Sequence, residues 1–404
     1  MSKTYQSKRL AVKVKQKAER MIRKEHPWIF DESITKLSQE GQAGDLAIIY
    51  DQKKNKFLAI GLYDPHSPIR IKVLQSKKPA TINEQWFEEK ITVAKSKRAS
   101  LLQTDTNSYR LIYGENDGLP SLVADVYDKV LVLKLYSAIW LPYLEILLPL
   151  LQTSSNVETI VLRLSRQLQQ LLDPDDYSDG QLLVGNLPEE EIIFREHGLQ
   201  FSANVIHGHK TGYFLDHRHN RKRVGELATN KTVLDVFAYA GGFSVHALAG
   251  GAQFVSSLDI SGPALEMAKK NVALNQLDDS KHKIIKGDAF KVMEEMVREK
   301  VKFDLVIVDP PSFAKKDSEK ITALQKYRRL TRLAVQICNP QGIILMASCS
   351  SRVTAEDFFS LNREEMSKSR KNYIELESHL HDVDHPIGFP EGAYLKAIYF
   401  QILD

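Results

Sequence analysis

The sequence predicts an α/β fold: a doubly wound, Rossmann-like sheet over residues 191–404, preceded by a small β-rich module over 1–75 and an α+β segment over 76–190. Three features predict it. From residue 192 onward short apolar runs alternate with helical patterns, as expected of parallel strands joined by crossover helices. Residues 46–73 hold strand-like runs separated by turn residues. An acidic, Gly- and Pro-bearing stretch, 173–191, lies between the two textures.

The elements follow in chain order. Leu46-Ala-Ile-Ile-Tyr50, Phe57-Leu-Ala-Ile-Gly61 and Ile69-Arg-Ile-Lys-Val73 read as strands, punctuated by Gly44-Asp45, Lys54-Asn55 and Asp64-Pro65. A polar stretch, 75–81, leads into a helix bearing Trp86, Phe87, Ile91 and Val93. Residues 130–135 are a strand within a mixed α and β region. In the last part, 232–237, 254–259, 303–308 and 342–347 are buried-strand runs, and 394–403 is a closing strand. Helical patterns over 245–248, 263–275 and 321–337 fall between them.

Composition excludes several classes. A 404-residue chain that is 43% hydrophobic is neither disordered nor collagen-like, and 2 Cys cannot build a disulfide framework, which points to a reducing cytoplasm. The most hydrophobic stretch, 131–151, is broken by Lys134, Pro142, Glu145 and Pro149, so no membrane span is expected. Net charge is only +4, but it is uneven: Lys3, Lys8, Arg9, Lys13, Lys15, Lys17, Arg20, Arg23 and Lys24 face only Glu19 and Glu25. That opening suits phosphate contacts, and equally a solvated terminus. The sequence leaves a homo-oligomer open and does not determine it.

Ligands of doubly wound sheets sit at the carboxyl ends of the strands. Leu234-Asp-Val-Phe-Ala-Tyr-Ala-Gly-Gly-Phe243 joins a strand to a helix, and its adjacent glycines let backbone approach a ligand. Asp259 ends the next strand, where a carboxylate accepts from ribose hydroxyls; Asp288 ends a third and can accept from an adenine amino group; Asp309 ends a fourth. Asp235 and Asp309 are expected to face one pocket. Because 238–243 lacks the dinucleotide pattern G-x-G-x-x-G, S-adenosylmethionine is the better cofactor reading than a dinucleotide, and a dehydrogenase is disfavoured.

Asp309-Pro-Pro-Ser-Phe313 offers a carboxylate held by rigid prolines with an aromatic behind it, suited to holding a flipped base or simply to a tight turn. Cys349 lies just past a strand, in Ser348-Cys-Ser-Ser351. Methylation at cytosine C5 needs a thiolate to add at C6 first, whereas nitrogen methylation does not. A small buried residue is the alternative reading of Cys349, and the preferred one for Cys338, which is read as part of the apparent helix of 321–337. His207, His209, His217 and His219 lack a completing Cys or Glu at ligand spacing, so no metal is expected. Lys326, Arg328, Arg329 and Arg332 form a basic helical segment that either touches RNA phosphates or faces solvent.

These residues together resemble the bacterial PUA-domain-containing class I S-adenosylmethionine-dependent rRNA (cytosine-C5) methyltransferases. His26-Pro-Trp-Ile-Phe30 and Gly61-Leu-Tyr63 are similar to the PUA module, and residues 109–120 to the family's central domain. Gly208-His-Lys-Thr-Gly-Tyr-Phe-Leu-Asp-His-Arg218, the Asp309 loop, Ser348-Cys-Ser350, Asp384-His-Pro386 and Pro390-Glu-Gly392 complete the likeness. It implies that Lys210, Thr211, Tyr213, Phe214 and the turn carrying Phe237, Tyr239, Gly241, Gly242 and Phe243 surround the cofactor. Asp259 and Asp288 would then hold its adenosine, with Asp235, Ile260, Ser261, Ala289 and Pro310 completing the lining. It also implies Cys349 as nucleophile, Asp309 on the base, and large-subunit rRNA as partner. Ser312 stands where some cytosine-C5 enzymes carry a second cysteine, implying a single-cysteine mechanism. Ser121, Val126 and residues 162–167 depart from the family pattern, so the accessory part has drifted further than the catalytic part. The competing readings are an rRNA guanine-nitrogen methyltransferase of the same fold and a non-catalytic RNA-binding assembly factor.

Overall fold

The structure is a computed structural model describing residues 7–404; Lys3 of the basic opening lies outside the described residues. The chain forms two compact bodies, one of Met1–Phe194, Ala203–Phe214 and Val383–Phe389, the other of Arg195–Ser202, Leu215–Asp382 and Pro390–Asp404.

The first body begins with β1 (Arg9–Val14), α1 (Gln16–Arg23), β2 (Trp28–Phe30), β3 (Ile34–Leu37), β4 (Leu46–Tyr50), β5 (Phe57–Tyr63) and β6 (Ile69–Ser76). Their six-stranded sheet has the order β2-β6-β5-β4-β1-β3. Period-two patterning sets the register of β1: Leu10, Val12 and Val14 are buried beside Ala18 and Ile22 of α1, while Arg9 and Ala11 face out. Helices α2 (Glu84–Lys97) and α3 (Ala99–Leu102) lead to β7 (Ser108–Tyr113), β8 (Leu122–Tyr127) and β9 (Val130–Leu135). After α4 (Leu144–Ser155) come β10 (Thr159–Leu164), α5 (Arg166–Leu171) and β11 (Leu182–Val184), closing a sheet ordered β11-β10-β9-β8-β7. Leu46, Ile60 and Leu62 of the first sheet share one core with Leu133 and Leu162 of the second and with Trp86, Phe87 and Ile91 of α2. Val93, on the other face of α2, is 55% exposed.

Two polar clusters fasten later segments into this body. Arg98, fully buried, donates to both carboxylate oxygens of Asp117 at 3.0 and 2.6 Å and to the carbonyl of Asp384 at 3.1 Å, and Arg110 N donates to Asp384 Oδ2 at 2.9 Å. Asp125 of β8 accepts both arms of Arg110 at 2.8 and 2.9 Å and the Thr211 hydroxyl at 2.6 Å. A buried guanidinium left without such partners would be strongly destabilising, so these bonds fix where the chain runs.

A hairpin of β12 (Glu191–Glu196) and β13 (Leu199–Asn204) precedes the second body's helices and strands. These are α6 (Arg218–Leu227), β14 (Thr232–Val236), α7 (Gly242–Ala249), β15 (Phe254–Asp259), α8 (Gly262–Leu274), β16 (His282–Lys286), α9 (Ala289–Arg298) and β17 (Phe303–Val308). There follow α10 (Lys320–Ile337), β18 (Cys338–Ser348), α11 (Ala355–Lys368), β19 (Tyr373–His379) and β20 (Lys396–Ile402). The seven-stranded sheet has the order β16-β15-β14-β17-β18-β20-β19; β14 to β18 are parallel and β20 runs antiparallel to both its neighbours. Strand order reverses at β14, between β15 and β17, which places a crevice at the carboxyl ends there. Strands β14 and β17 are apolar nearly throughout because helices cover both faces. Cys338 opens β18 rather than ending a helix, and burial pushes its thiol up to about 12.

Candidate active site

The turn after β14 is shaped by backbone. Phe237 and Tyr239 hold φ of 66° and 48°, a region few non-glycine residues adopt, and Gly241 holds 72°. A Cβ on Gly241 would meet the Ala268 Cβ at 2.7 Å, so only glycine lets α7 start this close to α8. Asn271 of α8 steadies the turn by donating to the Ala240 carbonyl at 2.8 Å. Asp259 accepts from Tyr239 N at 2.9 Å and Ser261 N at 2.8 Å, joining the ends of β14 and β15. Beside it Ile260 is 69% exposed, an apolar surface at a polar strand end. Ser261 and Asp288 also cap α8 and α9, their side chains accepting from Ala264 N and Lys291 N, and Ala289 is buried in the first turn of α9.

Asp235 is the outlier. Its Oδ2 accepts the backbone and hydroxyl of Ser244 at 3.1 and 2.7 Å, but Oδ1 is buried with no partner among the described residues. Burial, with Asp309 and Asp259 adding repulsion, raises its carboxyl to about 7. A buried acceptor of this kind fits a cationic ligand, and S-adenosylmethionine carries both an ammonium and a sulfonium. The open turn, the orphaned carboxylate and the exposed Ile260 suit that cofactor.

The second group of residues surrounds sulfur. Cys349 Sγ lies 3.6 Å from His217 Nε2 and 3.9 Å from Asp309 Oδ1, and those two atoms are 3.2 Å apart. Desolvation alone would push His217 below its usual range; the Asp309 carboxylate, helped by Asp216, reverses this and raises it. An imidazolium beside a thiol favours the thiolate, the nucleophilic form. The Asn220 side chain lies 3.2 Å from His217 Nδ1, and Phe243 packs edge-on against the imidazole with ring centroids 5.6 Å apart. The turn after β14 therefore supports the ring that lies beside the cysteine.

The loop holding Cys349 is anchored from beneath. Lys396 of β20, only 2% exposed, donates to the carbonyls of Ser350, Val353 (2.5 Å) and Tyr394 (2.9 Å), and burial brings its ammonium down to about 8. Ser348 donates to the Tyr327 hydroxyl at 2.8 Å, and Tyr327 packs against Phe313 with centroids 5.2 Å apart. Ser350 and Ser312 both donate to the Ala314 carbonyl, at 3.3 and 3.1 Å, tying the Cys349 loop to the Asp309 loop, where Pro310 is buried.

The structure thus brings Asp235, Asp259, Asp309 and Cys349 to one edge of the second body's sheet. Lys210, Thr211, Tyr213 and Phe214 belong to the first body, where Tyr127 bonds Thr211 and the Tyr213 backbone, and Lys210 lies over the Phe214 ring at 4.4 Å. The basic segment of α10 is largely committed to acids: Arg328 to Glu364 and Glu365, Arg329 to Glu294, Arg332 to Glu365. Lys326 lies over the Phe313 ring. Sequence reasoning missed His217, weighed there only as a metal ligand, and Lys396. His217 had a signal, since it falls inside the 208–218 segment that carries the family likeness; nothing local marks Lys396.

A family model described as S-adenosylmethionine-dependent methyltransferase matches residues 110–401, and one described as a PUA-like domain matches residues 12–76. The chain belongs to the S-adenosylmethionine-dependent methyltransferases. Within that family it is similar to a Deinococcus radiodurans protein named ribosomal RNA large subunit methyltransferase, 40% identical over 399 residues and covering 98% of each chain. A protein of Escherichia coli O139:H28 named ribosomal RNA large subunit methyltransferase I is 34% identical over 388 residues, covering 95% of this chain and 97% of its own. Among solved structures, a SAM-dependent methyltransferase from Streptococcus mutans superposes with a TM-score of 0.81 at 20% identity, covering 97% of this chain and 99% of that one. A methyltransferase complexed with SAH gives 0.81 at 21% identity, covering 98% and 100%. These two speak to fold alone: the class I methyltransferase sheet with a PUA-like β-rich module before it.

Proposed function

We propose that this methyltransferase forms 5-methylcytosine in large-subunit rRNA through a covalent adduct between Cys349 and cytosine C6. The carrying observation is Cys349 Sγ lying 3.6 Å from His217 Nε2 and 3.9 Å from Asp309 Oδ1. S-adenosylmethionine supplies the electrophilic methyl group when bound. His217 favours the Cys349 thiolate, which adds to C6 and makes C5 electron-rich. Asp309 accepts a hydrogen bond from the exocyclic amino group of the base, with Phe313 behind the loop. Once C5 carries the methyl group, water takes its proton, which re-forms the ring double bond and expels Cys349 as the thiolate. Nitrogen methylation would give no role to a cysteine so carefully supported.

The same reading assigns residues 1–75 to RNA affinity, 76–190 to positioning and 191–404 to chemistry, in a cytoplasmic protein; among the described residues no helix is long and apolar enough to cross a membrane. The cofactor set is Lys210, Thr211, Tyr213, Phe214, Asp235, Phe237, Tyr239, Gly241, Gly242, Phe243, Asp259, Ile260, Ser261, Asp288, Ala289, Asp309 and Pro310. The test is nucleoside mass spectrometry of rRNA incubated with the protein and S-adenosylmethionine. Appearance of 5-methylcytosine, lost in Cys349→Ala, is expected. A methylguanine, or 5-methylcytosine formed by Cys349→Ala, would overturn the mechanism.

A further inference from the structure

We propose that His217, Asp309 and Cys349 form a binding site for a thiophilic divalent cation of the Zn2+ type, and that its occupancy masks the Cys349 sulfur. The three donor atoms lie within 4.8 Å of one another. Ordinary zinc bond lengths to sulfur, imidazole nitrogen and carboxylate oxygen, set at tetrahedral angles, require donor separations of about 3.6 Å (S to N), about 3.4 Å (N to O) and about 3.6 Å (S to O). The observed separations are 3.6, 3.2 and 3.9 Å. Each edge agrees to within a few tenths of an ångström, so a cation can enter without rearranging the backbone.

Donor chemistry points the same way. A thiolate with an imidazole selects a borderline-soft ion, while oxygen-seeking Mg2+ and Ca2+ are poorly served by sulfur. Thiolate and carboxylate together neutralise a divalent charge, leaving no net charge in a partly buried place. Asn220 contacts the far ring nitrogen of His217 and Phe243 packs edge-on against the ring, so Nε2 stays aimed at the other two donors. Three protein ligands leave a fourth position for water, in a site where Asp309 keeps 21% of its side chain exposed. Sequence spacing gives no hint of the site, because its ligands come from residues 217, 309 and 349, on separate elements.

The inference concerns metal affinity and thiol access, so it stands or falls independently of which base is methylated. The full chain, stripped with a chelator, is titrated with Zn2+ against a chromophoric zinc indicator, and Cys349 alkylation by iodoacetamide is followed by peptide mass spectrometry. One Zn2+ per chain is expected, with alkylation slowed about tenfold or more, restored by EDTA and unaffected by Mg2+. Cys349→Ser and His217→Gln should each weaken Zn2+ binding by about 100-fold, in protein whose S-adenosylmethionine binding shows it to be folded. Lack of stoichiometric Zn2+, unchanged affinity in Cys349→Ser, or undiminished alkylation in the presence of Zn2+ would each overturn the proposal.

Discussion

Asp235 should make the ligand-free protein less stable as pH rises through neutrality. Its carboxyl keeps its proton in the folded chain up to about 7, against an ordinary value of 3.8, because burial penalises the charged form and Oδ1 lacks a partner. The folded state therefore binds more protons than the unfolded state between those two values. Stability is fully present below the lower one and is lost as pH climbs to the upper. The gap amounts to about 4 kcal/mol in all, of which roughly 2.5 kcal/mol is lost between pH 5 and pH 8. Asp235→Asn removes this titration while keeping the side chain's shape. Calorimetric melting of both proteins side by side cancels every other group. The melting temperature of the second body in the wild type should fall relative to the variant by roughly 5–10 °C across that range. A difference that stays constant with pH would refute the reasoning, because it would mean that Asp235 is already ionised throughout that range.

Four other outcomes are expected from the geometry. Cys349→Ala should lower methyl transfer by about 1,000-fold or more while S-adenosylmethionine affinity, measured calorimetrically, stays within about twofold. Glu196→Ala should cost about 3–5 kcal/mol in denaturant unfolding, because Glu196 is the buried anion that receives Arg221 at 2.7 and 2.6 Å and His246 at 3.0 Å. Lys396→Met should leave three carbonyls without their donor and speed amide exchange over residues 349–354, with transfer activity falling before cofactor affinity does. Neutralising the exposed Lys15, Lys17, Arg20 and Lys24 to Gln should flatten the salt dependence of RNA binding by about 0.7–0.9 in log–log slope for each phosphate no longer neutralised. That test is better than deleting residues 1–75, since Leu46, Ile60 and Leu62 share a core with Phe87, Leu133 and Leu162.

Much of the second body was legible because its signals are local. Strand runs such as Phe303–Val308 are apolar on both faces, which only a sheet covered by helices on each side permits. Four acids at successive strand ends were visible as a pattern, and their common edge follows from parallel topology. The features that could not be read depend on contacts between distant residues. His217 becomes a neighbour of Cys349 across 132 positions, and Lys396 finds its carbonyls through the pairing of β20 with β18. The charge of α10 was misleading for the same reason. Arg328, Arg329 and Arg332 look free in sequence, yet acids on α9 and α11 meet them in space.

The placement of Asp384 bears on how the protein is made. Residues 383–389 belong to the first body, and the chain passes between the bodies at five points. Arg98 and Arg110 reach their Asp384 partners across 286 and 274 positions. During synthesis the first body therefore emerges with its buried guanidinium lacking one acceptor until residues 383–389 have left the ribosome. Closure of that body is a late event, governed by the slow formation of a very long loop rather than by its own local strands. A nascent chain stalled before residue 383 would expose this unfinished seam, whereas one released after 389 could seal it.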